Sequence, residues 1–125
     1  MKKSDSYLNT ILEYAKLPPS QISFETFQGI IILTILDTKL FPRNSDLPVF
    51  IEKVFELNLK DYVYASRTLI IARVIRKLEK LKKDEIHNLK VNFFEYFQAL
   101  ANINNESDLL KWLKGLDGGK RNESL

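Results

Sequence analysis

From Val49 to Lys114 the chain contains neither glycine nor proline. A β-protein would need turn residues inside such an interval, whereas helices with spaced apolar positions need none. The glycines stand at 29, 115, 118 and 119 and the prolines at 18, 19, 42 and 48, so chain breaks are confined to the first half and the extreme C-terminus. The expected fold class is all-α, a compact bundle of five or six short helices around one core.

Periodicity and capping residues place the elements. The first helix is expected over residues 5–16, capped by Ser4, with Tyr7, Leu8, Ile11, Leu12 and Ala15 on one face, and Pro18 and Pro19 ending it. The second is expected over 24–39 behind Ser23. Its centre, Ile30 to Leu36, is apolar nearly all round, which predicts a central helix buried on most sides. Ser45 is the expected cap of a third helix, with Pro48 in its first turn and Val49, Phe50, Val54, Phe55 and Leu57 inward. A fourth is expected over 62–82 behind Asp61, with Val63, Ile70, Ile71, Val74, Ile75, Leu78 and Leu81 on one arc. A fifth, 85–103 behind Asp84, carries Ile86, Leu89, Phe93, Phe97 and Leu100; it either stands apart or continues the fourth as one rod. A sixth, starting at Ser107 or Asp108, carries Leu109, Leu110, Trp112 and Leu113 and stops at Gly115. Residues 1–116 read as one domain and 117–125 as a tail.

A chain of 125 residues suffices for one domain, and 45% hydrophobic with 28% charged residues is an ordinary globular balance. There is no cysteine, which removes disulfides, thiolate metal sites and thiol nucleophiles. His87 is the one histidine and stands without metal-ligand spacing. No Gly-x-Ser-x-Gly elbow, phosphate-cradling glycine loop or Glu-x-x-His repeat is present. The expectation is a non-catalytic protein with no cofactor and no metal. The longest apolar stretch, Gly29 to Leu36, is far short of the roughly 20 residues that span a bilayer. Residues 1–9 carry no signal-peptide pattern, so no membrane association and a cytoplasmic location are expected.

Net charge is +3 and the isoelectric point about 9.1, but the excess is local. Between Arg73 and Lys83 stand Arg73, Arg76, Lys77, Lys80, Lys82 and Lys83 against Glu79 alone. A basic stripe along a helix is the electrostatic footprint of phosphate-backbone binding, and equally of a solvated face. The candidate nucleic-acid contacts are Arg67, Arg73, Arg76, Lys77, Lys80 and Lys83. Arg67 falls within the apolar arc of the fourth helix. A guanidinium there must pair internally, with Asp37, Glu52 or Glu56 as nominees, or meet an anion or a partner.

The segment from Asp46 to Leu78 resembles the SAP family of helix–bend–helix DNA-binding modules. An apolar first helix (Leu47, Phe50, Ile51, Val54) leads through a bend at Leu59 to Ser66-Arg67-Thr68-Leu69-Ile70 and on to Arg73-Val74. The family's bend usually carries a glycine, where this chain has Tyr62-Val63-Tyr64. The resemblance implies DNA binding and assigns no individual residue.

Phe93, Phe94, Tyr96 and Phe97 cover more than one helix face. Phe93 and Phe97 read as core, leaving Phe94, Tyr96 and Trp112 as candidates for a protein-partner surface, where large aromatics are favoured. The leading functional expectation is a binding module, a small subunit or regulator that docks on a protein partner or on its own copy. The alternative is nucleic-acid binding through the basic face of 62–82.

Overall fold

A computed structural model describes residues 6–104. Among them lie five α-helices and three short 3-10 segments, and no strand. The helices are α1 (Leu8–Tyr14), α2 (Phe24–Leu36), α3 (Leu47–Phe55), α4 (Arg67–Glu79) and α5 (Lys83–Asn104). The expected helix over 107–115 and the tail over 117–125 fall outside the described residues.

Local chemistry explains most boundaries. Ser23 caps α2 as expected, its Oγ accepting from the Thr26 backbone N–H at 3.0 Å. α1 ends at Tyr14, and Pro18 and Pro19 bar continuation and open a 3-10 turn over Pro19–Gln21. α2 stops at Leu36 rather than Lys39, because Asp37 leaves the helix in extended backbone. The Asp37 carboxylate then accepts from the backbone N–H groups of Tyr7 and Lys39, tying the start of α1 to this corner. A 3-10 turn over Asn44–Asp46 displaces Ser45 from its expected capping role, and α3 begins at Leu47 with Pro48 in its first turn. α3 closes on Glu56, a non-glycine residue in the left-handed region at φ 56°, which the next carbonyls need in order to turn away.

The fourth helix departs most from expectation. Residues 61–65 form a 3-10 segment, and the α-helix starts six residues beyond Asp61, at Arg67. Its cap is Ser66, whose Oγ accepts from Leu69 N–H at 3.2 Å. Lys80–Lys82 then break the chain before α5, so α4 and α5 are separate helices and not one rod. The Lys82 N–H donates to the Glu85 carboxylate at 2.8 Å, the reciprocal half of a capping box at the start of α5.

α5 is the spine. α1, α3 and the 19–21 turn pack on it, and α2 packs on α4. The interior is an aromatic stack centred on Phe50, whose ring lies 5.3 Å from Phe97, 5.5 Å from Phe55 and 5.1 Å from Phe41. Phe27 meets Phe93 edge-on at 5.4 Å, joining α2 to α5. Truncating a ring at this centre would cost about 3–5 kcal/mol.

Candidate functional site

Arg67 begins α4, and its side chain crosses to the far end of α2. Its Nε donates to Asn44 Oδ1 at 2.9 Å, one terminal nitrogen to the Ile35 carbonyl at 2.9 Å, and the other to the Phe41 carbonyl. No carboxylate lies within ion-pairing distance of it among the described residues. The nominated partners Asp37, Glu52 and Glu56 are replaced by carbonyls. Ile35 is in the last turn of α2, where carbonyls have no helical N–H donor and the macrodipole is negative. The guanidinium fork therefore closes the α2 C-terminus and the 37–44 connection in one stroke, and its donors are turned inward.

Lys90 has a parallel arrangement that the sequence reading passed over. It is 9% exposed, and its Nζ donates to the Ile22 carbonyl at 2.6 Å and the Pro19 carbonyl at 3.2 Å. Burial holds its pKa below the usual lysine value. The signal was present: at about 100° per residue, position 90 falls within about 60° of Ile86, Phe93 and Phe97 on the core side of α5. With Lys83 and His87 it lines a groove of about 710 Å³ between the starts of α2 and α5, walled by Phe24, Leu78, Leu81 and Ile86.

The basic stripe divides. Arg73, Arg76 and Lys77 of α4 and Lys80 at its C-cap share one side, within about 100° of arc. Arg76 and Lys80 are exposed, and Arg73 and Lys77 are half-buried along their stems. None of the four forms an ion pair among the described residues. Lys83 belongs to the first turn of α5 and faces the groove of Lys90 instead.

The aromatic face loses one of its three members. Phe94, expected as a partner contact, is only 6% exposed and packs on Phe27 and Phe93. Its position on α5 turns it towards the start of α2, which the α5 stripe alone does not reveal. Tyr96 is half-buried beside Phe50 and Phe97 and lines a groove of about 530 Å³ with Val54, Leu100 and Ile103. Trp112 lies outside the described residues.

A different apolar face is open. The core side of α2 carries Phe27, Ile30, Ile31, Thr34 and Ile35, all buried. On the opposite side Leu33 is 50% and Leu36 46% exposed, with Ile32 half-buried beside them. α2 is thus not enclosed on most sides, correcting the expectation of a central helix. Gly29 stands on this outer side one turn before Leu33, and a Cβ built there meets no atom within 4 Å. Packing among the described residues gives no reason for a glycine at that position. The outer positions Gly29, Ile32, Leu33 and Leu36 have i, i+3, i+4, i+7 spacing, but so do the buried Phe27, Ile30, Ile31 and Thr34, so the spacing alone does not say which face is open.

Among the described residues no group of three or more His, Asp or Glu side chains is placed to hold a metal ion, and no helix is long and apolar enough to cross a membrane. In comparison with known proteins, the chain matches no protein-family model, no curated protein and no solved structure.

Proposed function

We propose that this chain is a non-catalytic binding module that docks on protein through the outer face of α2. The observation that supports this is the stripe Gly29, Ile32, Leu33 and Leu36, apolar and open on a helix whose other face is core. The partner chemistry that fits is another helix with an apolar stripe. The leucines supply area, about 1 kcal/mol for each that passes from half-exposed to covered, and the glycine admits a closely approaching backbone. A mid-helix glycine costs roughly 1 kcal/mol against alanine, and the described residues offer nothing that offsets it at Gly29.

The test is affinity co-purification with the full chain and with Leu33→Glu/Leu36→Glu. Both positions are exposed, so the variant keeps the wild-type circular dichroism and thermal midpoint. A stoichiometric protein partner retained by wild type and lost by the variant is the expected result. Equal retention by both would remove α2 as the docking face.

A second reading, nucleic-acid binding, is favoured by the unpaired cations Arg73, Arg76, Lys77 and Lys80 on one face of α4. It no longer draws on Arg67, whose donors are engaged internally. It predicts duplex binding that weakens with salt at a log–log slope of about −0.9 per phosphate neutralised. Binding should vanish when the four residues become Gln. No binding at low salt would dismiss it.

A further inference from the structure

We propose that the groove between the starts of α2 and α5 binds a fatty acid, its carboxylate at Lys90 and its chain along Phe24, Leu78, Leu81 and Ile86. This is a second site, independent of the outer face of α2.

The floor of the groove is cationic. Lys90 is buried, and its Nζ uses two of its three donors on the Pro19 and Ile22 carbonyls. Those acceptors are neutral, so they hold the ammonium in place without cancelling its charge. Both precede α2, which sets the ammonium beside the positive end of that helix. No carboxylate lies within ion-pairing distance of Lys90 among the described residues. A buried cation without a counter-charge is unfavourable, and an anion from outside the chain that accepts from the third donor relieves it.

The mouth and the walls narrow the class of anion. Lys83 and His87 stand exposed at the mouth, one a second cation and the other a ring donor. Glu79 is exposed there too, and it opposes a second negative charge on the ligand. Among the described residues no guanidinium lines the groove, so no planar fork is offered to a phosphate. A singly charged carboxylate suits this set. Leu78 and Ile86 are buried and Phe24 and Leu81 half-buried, which makes the walls apolar. The volume of about 710 Å³ falls within the roughly 300–1,000 Å³ of small-molecule sites. An apolar chain ending in one carboxylate matches both halves of the lining.

Isothermal titration calorimetry of the full chain with octanoate, decanoate and dodecanoate, each below its micelle concentration at neutral pH, tests this. One ligand is expected per chain, with each methylene that the groove covers tightening binding about fourfold. Decanol has the same chain as decanoate without the charge, and is expected to bind wild type at least about tenfold more weakly. Lys90→Met keeps most of the stem and removes the ammonium, and is expected to weaken decanoate by a similar factor, with circular dichroism checking that the variant is folded. Lys83→Glu lies at an exposed position and keeps the fold whatever happens at Lys90; it is expected to weaken decanoate about 2- to 10-fold and to leave decanol unchanged. Absence of dodecanoate binding to wild type at millimolar ligand overturns the proposal. So does decanol binding as tightly as decanoate, or decanoate affinity that is unmoved in Lys83→Glu or in a folded Lys90→Met.

Discussion

Arg67 occupies a position that helix electrostatics disfavours, the first residue of α4, where the positive end of the macrodipole opposes a cation. The hydrogen bonds to Ile35, Phe41 and Asn44 outweigh that local penalty. Arg67→Ala is expected to lower unfolding free energy by about 2–3 kcal/mol, because two interior carbonyls lose a charged donor. Arg67→Lys should recover only part, since an ammonium cannot reproduce the planar fork. Urea denaturation followed by circular dichroism measures both, and equal stability of the lysine variant and wild type would refute the clamp. Periodicity marked this residue as anomalous, but its partners were not legible. Backbone carbonyls leave no trace in the amino-acid sequence, so a search for acidic partners was bound to nominate Asp37, Glu52 and Glu56. Lys90 differs: its place on the core side of α5 was readable from the spacing, and only its carbonyl partners were not.

Among the elements, legibility followed contrast between faces. α5 was readable because Ile86, Leu89, Phe93 and Phe97 alternate with polar residues, and α2 began where Ser23 said it would. The outer face of α2 was not, because a helix apolar all round carries no phase. The start of α4 was misplaced because Tyr62, Val63 and Tyr64 fit helical spacing while adopting a 3-10 path, and the true cap, Ser66, sits four residues later than Tyr62. The turn after α3 was legible as a turn but not in its geometry: a left-handed Glu56 replaces the glycine usual at such a C-cap. Glu56→Gly should therefore stabilise the fold by about 1 kcal/mol, read as a rise in urea midpoint at unchanged slope. A fall in midpoint would mean that the glutamate side chain contributes more than its backbone strain costs.

For the molecule as a whole, burial of phenols makes stability sensitive to alkali. Burial raises the pKa of Tyr7, Tyr64 and Tyr96 above 10.0, with smaller contributions from Tyr14 at Tyr7 and Glu52 at Tyr64. A raised folded pKa means the stabilisation is whole below pH 10.0 and is lost as pH rises through the folded values. Lys90 acts in the opposite sense: its folded pKa lies below 10.5, so its penalty eases as pH climbs toward that value. With three phenols against one ammonium, urea midpoints should fall as pH rises above about 10, and Tyr96→Phe should flatten the fall. A midpoint that rises over this interval would show that Lys90 dominates. The Arg67 clamp also bears on how long the folded state lasts. It joins groups 23, 26 and 32 residues apart, so it closes only after α2, the 37–44 connection and the head of α4 have been assembled. An interaction closed that late is expected to be absent from the folding transition state. Its loss should therefore leave the refolding rate nearly unchanged and shorten the lifetime of the native state by almost the whole equilibrium effect, making Arg67 a kinetic latch on an already assembled bundle.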